Sequence, residues 1–480
     1  MSYRPILFTI GILLLILSAA MIIPVMIDWS AGNNDWKVFA GSQCVTGFFG
    51  LALALSTRQD NMTMNLKQSF LLTNLSWITV GIFGALPFYF SELGMSYKDS
   101  FFESISGITT TGSTILNDIE ALPPGILFWR SILQWLGGVG IMVMALSVLP
   151  LLQVGGMQLF KAESFDVEKI LPSAAKIATY IGILYAIFTV ICALLYKIAG
   201  MSGFDAFAHA MTTIATGGYS TYNDSMGHFD SALIDYICIV FMFIGSLPFV
   251  LYLHILRGNY SNFLFDQQVS WFFALLFSLV VAAVIYLTFT GQYDFFDAIR
   301  YSLFNVTSIV TGTGYATTDY TLWGGFIVGL IFFASCIGGC AGSTTGGIKV
   351  FRFQVLYAVT RAQTLKMIHP HGIFPAYYNN RQIPREIPIA VMSFFFIFAL
   401  SFSVLAVALL AVGLDYISAM SSALTAIANV GPALGDIAGP AGNFSSFPNS
   451  AKWIMCLGML LGRLELFTFF VMLSPRFWRN

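Results

Sequence analysis

Four short polar stretches interrupt an otherwise apolar chain, and they constrain its fold more than any other feature. The first reads Ile108-Thr-Thr-Thr-Gly-Ser113. Its counterparts are Ile214-Ala-Thr-Gly217-Gly-Tyr, Ile309-Val-Thr-Gly312-Thr-Gly and Ala428-Asn-Val-Gly431-Pro. The central glycines Gly112, Gly217, Gly312 and Gly431 follow one another at intervals of 105, 95 and 119 residues. Around each, one pattern recurs: apolar span, short amphipathic piece, polar glycine loop, apolar span. Repeats of this kind decide the fold before anything else does. A turn between helices explains any one loop. Four at matching positions describe four strands of backbone facing one axis.

The solvent of this chain is lipid. Of its 480 residues 57% are hydrophobic and only 9% charged, against about 25% charged in a soluble domain. Several apolar runs exceed the roughly 20 residues that span a bilayer. The fold class is therefore an all-α polytopic membrane protein. A net charge of −1 gives no footprint for nucleic acid. The six cysteines lie in apolar segments, and Cys336 and Cys340, four apart, have no His or acid beside them to complete a metal site. Neither disulfides nor a resident cofactor is expected. The clustered His, Asp or Glu of a membrane-embedded enzyme are also missing, so no catalysis is expected.

The spans can be laid out in order. Two helices, about Ile6–Ile27 and Val38–Leu55, form an N-terminal pair over residues 1–60. The first is too long for a signal peptide's apolar core. Four units follow over residues 61–160, 161–262, 263–370 and 371–480. Their paired spans are near Phe70–Phe90 and Ile126–Leu151, Ile177–Lys197 and Ala232–Leu253, Trp271–Thr288 and Leu322–Ile337, and Ile387–Val412 and Trp453–Leu473.

An acid precedes each loop: Asp99, Asp205, Asp297 and Asp415. Asp satisfies orphan N–H groups at helix N-termini, so each marks the start of a half-helix, the first read as Ser100–Ile108. The C-terminal ends of four such helices would turn partial negative charge toward the loops and favour a cation. Lysines and arginines alternate by side. Arg4, Arg58, Lys67, Lys161, Lys169, Lys176, Arg257, Lys349, Arg352, Arg361, Lys366, Arg381, Arg385, Arg476 and Arg479 fall on one side, which the positive-inside rule makes cytoplasmic. Both termini then lie in the cytoplasm, and the loops face outward with Glu92, Asp118, Glu120, Asp224, Asp230 and Asp436. That acidity either concentrates cations or collects where basic residues are excluded.

Irregular backbone at membrane depth is tolerated only where protein buries it or water bathes it. At the centre of a four-unit ring, carbonyl oxygens can replace the hydration shell of a potassium ion. Glycine allows φ values closed to other residues, so successive carbonyls can turn to one side. The filter set read this way is Thr110, Thr111 and Gly112; Ala215, Thr216 and Gly217; Val310, Thr311 and Gly312; and Asn429, Val430 and Gly431. Val430 breaks the Thr-Gly pattern in the fourth unit, which makes the glycine carbonyls the better candidates for ion contact.

Thr109-Thr-Thr-Gly-Ser, Ala215-Thr-Gly-Gly-Tyr-Ser-Thr, the run Ile337-Gly-Gly-Cys-Ala-Gly-Ser-Thr-Thr-Gly-Gly-Ile-Lys349 and the ending Gly462-Arg-Leu-Glu-Leu-Phe467 resemble the Trk/Ktr/HKT superfamily of potassium transporters. The N-terminal helix pair makes the chain similar to the bacterial TrkH/TrkG branch. The likeness covers nearly the whole chain in motif order. It implies four M1–P–M2 units around a pseudo-fourfold pore in the bacterial inner membrane. It also implies a homodimer docked on a cytoplasmic nucleotide-binding regulatory subunit of the TrkA type. Potassium would be the substrate. Ala433 and Thr345 stand where relatives often have Gly; Ala433 lies past the filter, while Thr345 bears on the mobility of the segment around it.

Gly338, Gly339, Gly342, Ser343, Thr344, Thr345, Gly346 and Gly347 interrupt the second span of the third unit. Glycine costs about 1 kcal/mol relative to Ala inside a helix, so the helix breaks or loosens here. A phosphate-binding P-loop is excluded, because Lys349 does not directly follow a glycine. The segment is either a kink for close helix packing or, as the resemblance implies, a mobile gate beneath the filter. Arg463 lies inside the last span. Charges at such depth face the interior and mark a pathway; it either bonds backbone carbonyls or, as in relatives, faces the pore as a barrier to cations. Arg130 and Arg300 are near span ends, where long side chains snorkel. Gln134, Trp135 and His209 read as packing residues. The rival function is an ion-coupled secondary transporter working by alternating access, whose repeats are usually two and often inverted.

Overall fold

The computed structural model describes residues 2–59, 64–147, 174–379 and 381–479. Among them seven helices are long and apolar enough to cross a membrane, or nine when two sharply bent pairs are each taken as one span. The chain is a polytopic α-helical membrane protein. The boundaries read at 60/61 and 160/161, the end of the first unit's second span, and Lys161 and Lys169 lie outside the described residues.

The N-terminal pair is Arg4–Ser30, with a turn at Met21, and Trp36–Thr57. The two pack closely, and the Ser18 hydroxyl donates to Gln43 O at 2.9 Å. Their buried stripe of Ile6, Ile10, Leu14 and Leu17 continues into Phe70, Leu71 and Trp129 of the first unit. Asp28 Oδ1 accepts from Gly125 N at 2.7 Å, fixing the pair on that unit.

Each unit has an outer span, a half-helix, a loop and an inner span. The outer spans are Leu66–Phe90, Ala174–Ile198, Gln267–Phe289 and Glu386–Ala411. The half-helices are Tyr97–Ile108, Gly203–Ile214, Phe295–Val310 and Tyr416–Ala428. Only Asp415 caps its half-helix as expected, accepting from Ser418 N at 3.0 Å. In the first two units the cap is a serine three residues earlier. Ser96 Oγ accepts from Asp99 N at 3.4 Å and Ser202 Oγ from Asp205 N at 3.0 Å. In the third the N-cap position is Asp294, whose side chain makes no capping hydrogen bond among the described residues. Asp99, Asp205 and Asp297 sit in the first turn, where a carboxylate also complements the dipole.

The inner spans depart most from expectation. The first, Pro124–Ser147, is one helix. The second is Ala232–Ser246 and Phe249–Leu256, bent by 94° at Leu247-Pro248. The third keeps only Gly325–Ala334 as regular helix before an irregular loop, and Val350–Ile368 continues beyond it. The fourth is Asn449–Arg463 and Phe467–Leu473, bent by 109°. Proline explains the second bend by removing a donor. The fourth bend places two residues in the left-handed region, Glu465 at φ 57° and Leu466 at φ 48°. After Val350–Ile368 a two-residue hairpin pairs Tyr377–Tyr378 with Arg381–Gln382.

Candidate functional site

The half-helices deliver four loops to one place, and a shared backbone turn sets their register. In each unit a residue enters the left-handed region just past the helix: Thr110 at φ 52°, Thr216 at 49°, Gly312 at 69° and Asn429 at 54°. The next N–H reaches back five residues: Thr111 to Ser106 O at 2.9 Å, Gly217 to Thr212 O at 2.9 Å, Thr313 to Ser308 O at 2.8 Å, and Val430 to Thr425 O at 3.1 Å. A glycine of positive φ follows: Gly112 at 86°, Gly218 at 80°, Gly314 at 81° and Gly431 at 106°.

The equivalent strands are therefore Thr110–Ser113, Thr216–Tyr219, Gly312–Tyr315 and Asn429–Pro432. The first and fourth contain the filter residues read from sequence. The second is displaced by one residue and the third by two, so Gly218 and Gly314, rather than Gly217 and Gly312, correspond to Gly112. Ala215 and Thr311 become helix C-caps, and Val310 the last residue of its half-helix.

Close contacts link the strands into a ring. A methyl group on Gly112 would overlap Gly217 O, one on Gly218 would overlap Thr313 O, and one on Gly314 would overlap Val430 O. A methyl on Gly431 would lie 2.8 Å from Thr111 O. The cycle runs through units one, two, three, four and back to one. Across the closing seam Ser113 Oγ donates to Gly431 O at 2.7 Å, and Asn429 Nδ2 donates to Thr111 Oγ1 at 2.9 Å.

Behind the ring, each half-helix holds the strand that follows its own loop with one buried polar side chain. Glu103 accepts from Thr114 Oγ1 at 3.0 Å and Ile115 N at 3.1 Å. His209 Nε2 pairs with Ser220 Oγ at 2.9 Å. Asn305 donates to Thr317 Oγ1 at 2.8 Å and accepts from its N–H at 3.2 Å. Ser421 Oγ accepts from Leu434 N at 3.0 Å. Glu103, Asn305 and Ser421 were not singled out from sequence. Their signal is a polar residue seven or eight positions before the left-handed one. Glu103 is also a carboxylate in an otherwise uncharged turn.

Arg130 does not snorkel. It is buried, pairs with Glu103 at 2.8 Å, and donates to Ser220 O at 2.9 Å. Gln134 does more than pack, since its Nε2 donates to Gly217 O at 2.6 Å and its Oε1 accepts from Tyr219 N at 3.0 Å. At the outer end Lys452 Nζ donates to Asp99 at 2.9 Å, joining the fourth unit to the first. Burial opposes ionisation there, yet the Ser96 hydroxyl and the Lys452 ammonium hold the Asp99 carboxyl below the usual carboxylate range.

The glycine-rich segment of the third unit is an ordered loop pressed against the ring. Gly338, Gly342 and Gly347 have φ of 73°, 75° and 75°. Its N–H groups occupy carbonyls freed by the second unit's bend: Cys340 N donates to Ser246 O at 3.0 Å and Thr344 N to Gly245 O at 3.1 Å. Thr344 Oγ1 lies 3.0 Å from Thr216 Oγ1, at the start of the second strand. Gly346 lies so close to Ala428 O that no side chain fits. Gly339 also lies within the loop, where its N–H donates to Thr345 Oγ1 at 3.1 Å. Thr345 Oγ1 also meets Ser343 Oγ at 2.8 Å, so this threonine stitches the loop together internally.

Arg463 Nη1 donates to Thr344 O at 3.1 Å, while its Nε and Nη2 have no hydrogen-bond partner among the described residues. It thus meets a carbonyl and faces the loop at once. Lys349 and Arg352, which the charge pattern assigns to the cytoplasmic side, do not lie at the surface. Both are buried, with Glu465 5% exposed beside them. The buried carboxylate draws them in, because a charge at depth needs a partner.

This architecture has close counterparts. The model of the TrkH family, described as a cation transport protein, matches residues 37–479. The Trk system potassium uptake protein TrkI of Halomonas elongata is 42% identical over 480 residues, spanning 100% of this chain and 97% of the relative. TrkH of Escherichia coli, a Trk system potassium uptake protein, is 38% identical, with 100% of both chains covered. The crystal structure of the potassium transporter TrkH from Vibrio parahaemolyticus superposes with a TM-score of 0.93 at 34% identity, again over 100% of both chains. Membrane transport and not catalysis is what this family does. From the match along almost its whole length, the chain belongs to the TrkH family of cation transport proteins.

Proposed function

We propose that the four-loop ring is the selectivity filter of a potassium uptake pathway, and that residues 338–347 are its gate. The observation that carries this reading is the closed cycle of contacts among Gly112, Gly218, Gly314 and Gly431 and the neighbouring carbonyls. Such a ring can offer backbone oxygens to a dehydrated cation from four sides. In this reading the filter residues are Thr110–Ser113, Thr216–Tyr219, Gly312–Tyr315 and Asn429–Pro432. Ions enter from the outer face, dehydrate at the ring and pass the loop beneath it, where Arg463 sets the electrostatic barrier. The membrane potential drives them, at about 2.3 kcal/mol per charge per 100 mV. Potassium is the substrate, and no cofactor enters the reading.

The names of the relatives, Trk system potassium uptake proteins, support potassium as the ion and a Trk-system partner. We take the setting to be the bacterial inner membrane, with both termini cytoplasmic, a homodimer, and a nucleotide-binding TrkA-type subunit acting on the gate from the cytoplasmic face. The test is rubidium flux into liposomes holding the purified chain. A filter gives fast, saturable flux that permeant ions block. Slow flux stoichiometrically coupled to protons or sodium would favour alternating access instead.

A further inference from the structure

Three non-glycine residues in the left-handed region meet at one ion cluster. Lys349, at φ 76°, ends the irregular loop; Glu465, at φ 57°, and Leu466, at φ 48°, make the bend of the fourth inner span. Strain of this kind persists where surrounding contacts over-determine it, and it collects at switch regions. Here the contacts are ionic. Lys349 Nζ lies 3.6 Å from Glu465 Oε1, and Arg352 Nη2 bonds Glu465 Oε2. Arg352 is further fixed, with Nη1 on Ile348 O at 2.8 Å and its guanidinium 3.6 Å from the Phe394 ring centroid. All three charged side chains are buried.

The same bend also holds the middle of the loop, through Arg463 Nη1 on Thr344 O at 3.1 Å. The loop is thus fastened to the fourth unit twice, at its centre by Arg463 and at its exit by Glu465. The exit fastening continues directly into Val350–Ile368. The first turns of that helix are buried, at Val350, Phe351 and Arg352, whereas Met367 and Ile368 at its far end are 83% and 62% exposed. Between the two ends, Gln354 Nε2 donates to Gln267 O at 2.8 Å and Tyr357 packs on Trp271, so a displacement of the helix as a whole is what reaches Lys349 and Arg352.

We propose that Glu465 is a positioning residue for the gate: its carboxylate latches the exit of the 338–347 loop, and displacement of Val350–Ile368 opens the pathway by drawing Lys349 and Arg352 off it. The proposal rests on the reading of that loop as the gate. Two cations share one carboxylate, so the latch has a weak half at Lys349 and a strong half at Arg352. Loss of the weak half loosens the loop, and loss of the carboxylate frees it.

The test is rubidium flux into liposomes with the full chain alone, comparing the parent with Glu465→Gln, Glu465→Asp and Lys349→Gln. Glu465→Gln is expected to raise flux about fivefold or more, the lower end of couplings between distinct sites. Glu465→Asp, which keeps the charge, should return it toward the parent, and Lys349→Gln should give an intermediate gain. Potassium over sodium discrimination should hold throughout, because the ring is untouched. If Glu465→Gln does not assemble, Lys349→Gln decides the matter, since Arg352 still satisfies Glu465. An assembled variant of either kind with parental flux overturns the latch. Failure of the filter reading looks different: the parent itself would then carry no potassium-selective flux.

Discussion

Arg130 Nε and Glu103 Oε1 lie 2.8 Å apart, with side chains 1% and 0% exposed. The pair joins the first unit's inner span to its half-helix. Arg130 also reaches into the second unit, with its guanidinium 4.1 Å from the Tyr219 ring centroid. Removing one partner of a buried pair leaves an uncompensated charge and costs about 3–5 kcal/mol. Glu103→Gln should therefore lower the melting temperature of the purified protein markedly. The double variant Glu103→Gln with Arg130→Met should recover part of that loss, because no unpaired charge remains. A double variant no more stable than Glu103→Gln alone would show that the pair's charge is not what matters.

Gln134 supports the second strand from a neighbouring unit. Gln134→Leu keeps the volume but leaves Gly217 O and Tyr219 N without their partner. Each buried group left unsatisfied costs about 1–3 kcal/mol. The strand should loosen, and potassium over sodium selectivity should fall while the protein still assembles. Competition between sodium and rubidium in a flux assay reads this directly; unaltered selectivity would make Gln134 a packing residue only.

Arg463 donates one hydrogen bond to the loop, and two of its nitrogens have no hydrogen-bond partner among the described residues. Arg463→Ala removes a fastening of the loop and a buried charge together. Rubidium flux should rise, and the melting temperature should not fall, because an incompletely satisfied buried charge contributes little net stability. A large drop in melting temperature with parental flux would mark the arginine as purely structural.

Much of this arrangement is legible in the sequence, and the limits have physical causes. Long apolar runs and recurring polar loops announce the four units. The loop register is hidden because the second and third loops each carry two glycines, at Gly217 and Gly218 and at Gly312 and Gly314. In the first two loops the residue that fixes it, left-handed Thr110 or Thr216, is β-branched and of a type that sequence reading places in ordinary conformations. The bends at Leu247-Pro248 and Leu464–Leu466 are masked by hydropathy, which continues across both breaks. The ion cluster at Glu465 draws on residues more than 100 positions apart, and its cations look like ordinary cytoplasmic charges until the fold brings them together.

The central claim is that four equivalent strands close a ring, with Gly314 and not Gly312 as the third filter glycine. Gly312 occupies the position filled by Thr110, Thr216 and Asn429 in the other units, and a Cβ there would lie 3.3 Å from Asn429 O. A Cβ on Gly314 would overlap Val430 O. Rubidium uptake by a potassium-transport-deficient cell expressing Gly312→Asn or Gly314→Ala separates the two registers. Gly312→Asn should retain most uptake and its preference for potassium over sodium, while Gly314→Ala should lose both. The reverse order, with Gly314→Ala tolerated and Gly312→Asn inactive, would contradict the ring as described.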